Sequence, residues 1–419
     1  MSDITISYKG TDIATMDASG TKTLQTSGKY CEDDITLQYV KPSGGTEAPW
    51  NDVCFWDYDG KCLYSYSAAE FAQLSALPAN PSHAGLTAQG WNWSLSDAKD
   101  YVSANGFLDI GQLYVTSDDK THVHVVFTQA SSLYVTIRLT GSVAGNITIN
   151  WGDGSAEEST TGTTATTFTH TYATVGTYDI TISRSSGTVT FGDKFTSRDR
   201  SAIKEINLGS NVVLGENCFQ TNMGLTKISM PSDCNVSNFG GGFGIRCLIL
   251  PSAILTGNKI FSYSPVETIC FAKQGALNNY SSKFENDQTL RRISAPVGVS
   301  GGGLGNKYFM RCSSLQRFIL GETTGLASTN ATDNLWSLKK LIVPATVTGI
   351  NCFSNVYSLT EVHMKATTPP TLSNTSVFSN RSSDFKIYVP YSEDHSVLQT
   401  YQGASIWSSY SSYIVEESA

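Results

Sequence analysis

Three short stretches of the sequence place side chains with metal-binding or acid–base chemistry close together. The segment His122-Val123-His124 puts two imidazoles on one face of an expected strand, because side chains alternate along a strand. Asp57 and Asp59 flank a tyrosine just before a glycine, and Asp153 lies between two glycines. Paired imidazoles or carboxylates can ligate a metal ion or exchange protons.

Each stretch also has an ordinary structural explanation. Aspartates in Asp-Gly turns bind the backbone, which accounts for Asp57 and Asp59. Imidazole pairs on strands are commonly solvated, although His122 and His124 could bind iron on the axis of a trimeric fibre. Asp153 has few acidic neighbours for a calcium site, and the sequence contains no nucleophile elbow, zinc-protease helix or phosphate-binding loop. We therefore predict no catalytic site, no metal site, no cofactor and no enzymatic activity.

The nine cysteines include no close pair with the spacing of zinc ligands. Cys218, Cys270 and Cys352 each precede a phenylalanine. This placement predicts buried free thiols formed in a reducing cytoplasm, with a stabilising disulfide as the alternative.

The C-terminal half carries a degenerate repeat. An aromatic residue is followed six positions later by an apolar residue, then by others three and two positions further on, and often by proline. Successive copies lie roughly 20 to 25 residues apart, which is the period of a leucine-rich-repeat coil. Stacked coils share one core, because a single coil cannot bury its apolar face. The clearest copies begin at Phe219, Phe239, Phe284, Phe309 and Phe353.

Aromatic residues at variable positions of this repeat are the candidate binding residues. Rigid amphipathic rings favour contacts with proteins and sugars, while packing between adjacent coils is the alternative. Trp336 is the first choice, because the apolar set of its repeat is complete without it. The candidate receptor-binding residues are Tyr263, Tyr308, Trp336 and Tyr357.

The arrangement Cys352-Phe353-(x)5-Leu359-(x)2-Val362-x-Met364 resembles the BspA-like leucine-rich repeats of bacterial surface proteins and gut phage proteins. The resemblance covers about residues 195–390. It implies that each I-x-L-P segment is a short strand and that the aromatic residue belongs to the opposite wall. It also implies a solenoid that presents a surface rather than a catalytic cleft.

A second resemblance lies upstream of the repeat. The segments 147–155, 169–172 and 176–182 resemble the PKD domain, an immunoglobulin-like β-sandwich. The resemblance implies that Trp151 and Tyr172 are core aromatics and that Gly152-Asp153-Gly154 is a tight turn. PKD domains are usually spacers or interaction modules.

The N-terminal segment predicts a small β module with strands at Ile4–Tyr8 and Ile35–Tyr39. The stretch 20–35 resembles a segment at the start of tail and fibre proteins of phages from gut Firmicutes. The segments 57–60 and 89–93 resemble gut phage tail proteins as well. These resemblances imply attachment to a phage tail.

Local signals also place helices and caps. A hairpin should turn at Asp59-Gly60 and a loop should span 85–93. Ser67 should cap a helix over 68–77, Ser96 a helix over 97–104 and Ser392 a short helix near the C-terminus. Strands are expected at 110–116 and 121–127. The apolar residues between Ile406 and Ile414 should cover the open end of the solenoid.

The composition limits the partners. The net charge of −8 and the absence of a basic run argue against nucleic acid. No apolar stretch approaches the ~18 residues of a membrane span, and the start lacks the pattern of a signal peptide. We expect a mainly β, multidomain chain. Its expected parts are an N-terminal β attachment module at 1–40, a linker at 41–49, a small α+β module at 50–127, a PKD-like β-sandwich at 128–190, a BspA-like leucine-rich-repeat solenoid at 191–390 and a C-terminal cap at 391–419.

These features together predict a phage tail-tip or fibre protein that binds the host bacterial surface. It would be made in the host cytoplasm and reside in the virion. The expected partners are other tail proteins through the N-terminal module, a host cell-surface protein or glycan through the solenoid, and further copies of the chain in a trimer. The alternatives are a bacterial surface adhesin with BspA-like repeats and, less favoured, a polysaccharide depolymerase.

Overall fold

The computed structural model divides the chain into two compact units, Met1–Glu47 and Ala48–Ala419. The residues that the structure describes are 4–8, 11–16, 22–24, 50–236, 240, 243–251, 254–255, 261, 264–278, 282–300, 303–321, 325–326, 331–351 and 353–418.

The described part of the N-terminal unit is a three-stranded antiparallel meander. Strand β1 (Ile4–Tyr8) pairs with β2 (Thr11–Met16), and β2 pairs with β3 (Lys22–Leu24). The strand expected at Ile4–Tyr8 is therefore present. The strand expected at Ile35–Tyr39 and the linker at 41–49 lie outside the described residues.

The second unit begins with a four-stranded sheet and two helices. The strand order is β5-β4-β7-β6, in which β4 and β7 are parallel. Strands β4 and β5 form the expected hairpin, whereas β6 occupies a segment expected to be a loop. The bounds are β4 Val53–Trp56, β5 Cys62–Tyr66, α1 Ala68–Ala72, β6 Leu86–Trp91, α2 Leu95–Asn105 and β7 Leu108–Thr116.

Serine residues cap both helices, but only one is the expected serine. Ser67 and Glu70 form the expected capping box of α1. That helix ends at Ala72, well before the expected end at Leu77, because the amides of Gln73 and Leu74 donate three residues back, to Glu70 and Phe71, and close the last turn. Helix α2 is capped by Ser94 instead of Ser96, with a hydrogen bond of 3.2 Å from the Asp97 amide.

The next region contains two sheets whose inner faces share one hydrophobic core. Trp151 and Tyr172 are buried in this core as expected, and the Tyr172 hydroxyl donates to the Trp151 carbonyl over 3.0 Å. The strands are β8 Thr121–Phe127, β9 Tyr134–Gly141, β10 Ile147–Asn150, β11 Glu158–Thr160, β12 Thr166–Thr171, β13 Gly176–Arg184 and β14 Val189–Ser197.

Strand β8 belongs to the two-sheet region and not, as the sequence predicted, to the α+β region. Val123, Val125 and Phe127 on this strand are buried in the core that the two sheets share. Its backbone pairs with β13 on one side and with the first long-sheet strand of the solenoid, Ile203–Asn207, on the other. The two sheets therefore continue into the first two coils of the solenoid: Ile203–Asn207 and Lys227–Ser229 extend one sheet, and Val212–Leu214 and Asn235–Val236 extend the other.

Each solenoid coil contributes one strand to a wall of parallel strands, here called the long sheet, and, on the opposite wall, a shorter strand. The first two strands of the long sheet pair with each other, and the following eight pair as a separate set. The I-x-L segments of the repeat form the long-sheet strands, as the repeat predicted. The long-sheet strands are β15 Ile203–Asn207, β17 Lys227–Ser229, β19 Cys247–Ile249, β21 Thr268–Cys270, β23 Arg292–Ala295, β25 Arg317–Leu320, β27 Lys340–Val343, β29 Glu361–Met364, β31 Lys386–Val389 and β32 Ile414–Glu416. The short strands are β16 Val212–Leu214, β18 Asn235–Val236, β20 Ile254–Leu255, β22 Ala276–Asn278, β24 Gly298–Ser300, β26 Gly325–Leu326, β28 Gly349–Ile350 and β30 Thr371–Leu372.

The aromatic residues of the repeat form a continuous stack inside the solenoid. Ring centroids are 4.9 Å apart between Phe284 and Phe309 and 6.1 Å apart between Phe353 and Phe378. The coil at Ala331 has no aromatic residue at this position, and a phenylalanine from the preceding strand fills the gap. We call this set the aromatic stack; its members are Phe261, Phe284, Phe309, Phe318, Phe353 and Phe378.

The C-terminal segment covers the last coil. Helix α3 (Ser396–Gly403) is followed by a 3-10 helix (Trp407–Tyr413) and by β32, which pairs with β31. Trp407 is buried against the end of the solenoid core. Ser392 does not cap α3 at its N-cap position, which His395 occupies, although the Ser392 hydroxyl accepts a hydrogen bond of 3.2 Å from the Val397 amide.

The α+β region packs on the face of the long sheet that points away from the solenoid core. The buried Asp109 carboxylate accepts hydrogen bonds from Trp56 and from Arg292 of β23, at 2.9 and 3.1 Å. Tyr101 of α2 bonds Ser294 over 2.6 Å. Because Asp109 and Arg292 are both buried, removing either one would leave an uncompensated charge. The pair fixes the region over β23, and Phe107 extends the contact to Ile319 and Ile342.

Candidate recognition surface

The four candidate binding residues differ in their exposure to solvent, as far as the structure describes them. Tyr263 lies outside the described residues. Tyr308 is fully buried beside Phe284 and Phe309, and its hydroxyl donates to the Asn278 carbonyl over 2.7 Å. Burial raises the pKa of Tyr308, so the hydroxyl stays protonated and keeps donating. Contrary to the prediction, Tyr308 is a core residue and is not available to a receptor.

Trp336 and Tyr357 are solvent-exposed at matching places in two adjacent coils. Their side chains are 53% and 58% accessible. Strand pairing aligns Lys340 with Glu361, and the same offset separates Trp336 from Tyr357. Each ring comes two residues before a buried leucine, so the coil core is complete without it. Among the described residues, neither ring has an aromatic or hydrogen-bonding partner.

A ladder of asparagines supports the turn that carries these rings. The Asn355 amide donates to the Asn334 side chain over 3.1 Å, and the Asn380 amide donates to the Asn355 side chain over 2.7 Å. All three residues have φ between 53° and 64°. Asparagine tolerates this left-handed conformation better than most residues. We call Trp336, Tyr357 and the three ladder asparagines the corner patch.

The corner patch combines flat apolar rings with amide groups on a rigid backbone. Asn355 and Asn380 each keep a second amide hydrogen beyond the one used in the ladder, which Asn334 enters only as an acceptor. The Ser354 hydroxyl bonds the Asp333 carboxylate over 2.6 Å, which ties the two coils together at the same corner. Aromatic rings with neighbouring polar donors are typical of sites that bind proteins or sugars.

The two histidines of β8 bind separate carboxylates. His122 lies 2.9 Å from Asp118, and His124 lies 2.7 Å from Asp179. In the described part of the chain, no group of three or more His, Cys, Asp and Glu side chains is arranged to hold a metal ion. Asp153 is engaged by Ser155 and His170: burial opposes the charge, but these hydrogen bonds lower the pKa of Asp153 to about 2.

Asp57 has a partner that its sequence neighbourhood does not show. Its buried carboxylate accepts hydrogen bonds from the Tyr114 hydroxyl at 2.9 Å and lies 2.7 Å from His83 Nε2. The neighbouring Tyr58 hydroxyl donates to Glu205 of the solenoid over 3.1 Å. Burial raises the pKa of both tyrosines, so neither phenol is a ready nucleophile. This cluster therefore joins the hairpin to the solenoid.

His83 is the residue of this cluster that sequence reasoning missed. It lies between a helix and a strand with no motif around it, so the sequence offers no signal of the contact. Asp59 stabilises the hairpin turn as predicted, because its carboxylate accepts a hydrogen bond of 3.1 Å from the Lys61 amide.

The described cysteines are buried free thiols, as predicted. The sulfurs of Cys247 and Cys270 lie 3.7 Å apart on neighbouring strands. Cys31 and Cys352 lie outside the described residues. The buried free thiols are those of Cys54, Cys62, Cys218, Cys234, Cys247, Cys270 and Cys312.

The stacked coils and their repeat agree with one known family. Residues 160–266 and 278–395 match the family described as BspA type leucine rich repeat region, in six copies, and together they make up more than half of the chain. The chain belongs to the BspA-type leucine-rich-repeat family. This confirms the repeat resemblance and the solenoid, and the first matched segment also takes in the end of the two-sheet region.

A solved structure of the same kind is a leucine-rich repeat protein from Bacteroides ovatus ATCC 8483. It shares 16% sequence identity, with a TM-score of 0.25, over 51% of this chain and 66% of that chain. The chain thus covers just under two thirds of that protein's length. No curated protein sequence matches the chain. Among the described residues, no helix is both long and apolar enough to span a membrane.

Proposed function

We propose that this BspA-type protein is a non-catalytic surface-binding protein, an adhesin in its mode of action, which contacts its partner through the corner patch. The observation that carries the proposal is the exposure of Trp336 and Tyr357 at one place in adjacent coils. Exposed apolar groups that lie next to one another, rather than scattered singly, mark interaction sites. Binding energy commonly concentrates in such rigid rings.

The wider architecture supports the same proposal. The α+β region already covers the earlier strands of the long sheet, through contacts such as the Arg292–Asp109 pair. The corner patch lies at the turn leading into β27 and β29, outside these contacts. A partner can therefore reach the patch without displacing any part of the described second unit.

The test uses the full chain and two variants. The double variant Trp336→Ala/Tyr357→Ala removes both rings of the corner patch. Met223→Ala is the matched control, because Met223 is 63% exposed and also comes two residues before a buried leucine, in an earlier coil. Labelled protein is applied to arrays of glycans and cell-surface proteins and to bacterial cells.

The proposal expects at least one ligand that wild type and Met223→Ala bind equally and that the double variant binds roughly 1 to 3 kcal/mol more weakly per ring. Binding that is equal in all three proteins would place the interaction elsewhere. An absence of any ligand on arrays and cells would overturn an adhesive function.

The phage-tail role is a narrower proposal that rests on sequence resemblance alone. It holds that the N-terminal module attaches to other tail proteins, that a PKD-like region spaces the solenoid from the tail, and that trimers gain avidity. The resembling stretch 20–35 is mostly outside the described residues. Mass spectrometry of purified virions from the source tests it: particles should contain the chain, whereas protein found only in the bacterial cell wall would support a bacterial adhesin.

A further inference from the structure

A groove of about 510 Å³ lies between the last coil and the C-terminal segment. One side is formed by Pro369, Pro370 and strand β30, and the other by the end of α3 and the turn that leads into the 3-10 helix. Pockets that bind small molecules typically have volumes of about 300 to 1,000 Å³. The groove is separate from the corner patch, since it shares no residue with it.

The floor of the groove is apolar and firmly held. Pro370, Leu372 and Trp407 are buried, and the Trp407 indole donates to the Pro370 carbonyl over 2.7 Å. The hydroxyl of Tyr401, which lies on α3, donates to the Ala366 carbonyl over 2.8 Å. These bonds fix the two sides of the groove to each other, so the groove is already formed without a ligand.

The rim of the groove carries uncharged polar groups. The side chains of Thr371, Gln399 and Ser405 are exposed and make no hydrogen bond within the part of the chain that the structure describes. The Thr400 hydroxyl donates to the Ser396 carbonyl and keeps its lone pairs as acceptors. The rim therefore offers both donors and acceptors to a ligand.

Ile406 forms one wall of the groove in a strained conformation. Its φ and ψ are 65° and −41°, and the Trp407 amide donates to the Ser405 carbonyl over 2.8 Å across it. This is a γ-turn with positive φ, which is rare and strained, above all for a β-branched residue. Strain of this kind persists where the surrounding structure enforces it, and such residues cluster at ligand sites.

The eleven residues that line the groove include no charged side chain. An ionic ligand would lose hydration here without gaining a counter-charge, which disfavours phosphates, acidic sugars and charged peptides. A neutral sugar ring fits both surfaces, because one face of a pyranose is formed by C–H groups and its edge by hydroxyls. We propose that this groove binds one or two uncharged sugar residues, such as the end of a neutral glycan.

The test uses the full chain and a panel of neutral saccharides on a glycan array, followed by calorimetry with the best binder. Gly403 lines the groove, and a side chain added there meets no atom within 4 Å. The ring of Gly403→Phe should therefore fit without a clash and block the groove. Gln399→Ala/Ser405→Ala removes rim polar groups. Both variants should weaken binding at least tenfold, while Met223→Ala, in an earlier coil and outside the groove, should leave it unchanged.

Ile406→Gly separates a binding role from a purely structural one. Glycine removes the wall and relieves the γ-turn strain, which offsets the lost packing of Ile406 against the core. We therefore expect weaker saccharide binding at a melting temperature close to that of wild type. Failure of every neutral saccharide to bind, binding of acidic glycans alone, or binding that Gly403→Phe does not change would overturn the inference. None of these outcomes affects the corner-patch proposal, which has its own variants and control.

Discussion

The aromatic stack and the corner patch both place aromatic rings on the solenoid coils, but in opposite surroundings. Phe353 is fully buried, whereas Tyr357, four residues further along the same coil, is 58% exposed. Ring stacking at 4.9 to 6.1 Å holds the coils together inside, while the outer rings contact solvent. The difference shows that position within the coil decides whether an aromatic ring is buried in the core or exposed to solvent.

The strongest test of this difference removes a ring from the middle of the stack. Phe309→Ala should destabilise the second unit by about 3 to 5 kcal/mol, because it leaves a cavity between its stacked neighbours. Chemical denaturation of the full chain measures the change. A loss below about 1 kcal/mol would show that the stack is loosely packed and that the interior and the corner do not differ in this way.

The buried carboxyl group of Asp287 makes the stability of the solenoid interior depend on pH. Burial raises the pKa of the fully buried Asp287 to about 7, although its Oδ1 accepts from Thr289 and Leu290. A raised acid pKa means that the folded state holds the proton more tightly, so the protein loses stability as pH rises from about 4 to about 7. Asp287→Asn should remove this loss, which amounts to at most about 4 kcal/mol.

Denaturation at several pH values checks the Asp287 prediction. The variant should match wild type near pH 4 and become the more stable protein as pH rises towards 8. A constant difference across this range would mean that the Asp287 carboxyl does not titrate differently in the folded and unfolded chain.

Tyr308 tests the distinction between the aromatic stack and the corner patch, because the sequence predicted an exposed binding residue and the structure places it in the interior. Tyr308→Phe deletes the hydroxyl that donates to the Asn278 carbonyl, leaving that buried acceptor without this donor. We expect a loss of about 1 to 3 kcal/mol in stability and no change in binding. Reduced binding at unchanged stability would restore Tyr308 to the candidate site.

The repeat could be read from the sequence because its signal is local and recurs. The apolar residues around Ile293, Leu341 and Val362 follow one spacing in every copy, and that spacing is enough to define a strand and its buried side. The same reasoning identified Trp336 as dispensable for the core of its repeat and named Tyr357 as a further candidate.

Contacts between distant segments could not be read in this way. The Tyr308 hydroxyl finds its acceptor thirty positions away, in a different coil. His83 reaches Asp57 across a helix and a loop, and β8 pairs with β13 and β15 because its buried valines fit their core. Each of these depends on how the coils and sheets pack, which no single stretch of sequence encodes.

The central claim is that the corner aromatics serve recognition and contribute little to folding. Measuring unfolding and ligand binding on one preparation of Trp336→Ala/Tyr357→Ala tests it most directly. We predict a free energy of unfolding within about 0.5 kcal/mol of wild type, as expected for exposed side chains, together with a loss of binding to the ligand that wild type retains. A variant that unfolds several kcal/mol earlier, or that is equally stable and still binds fully, would contradict the account.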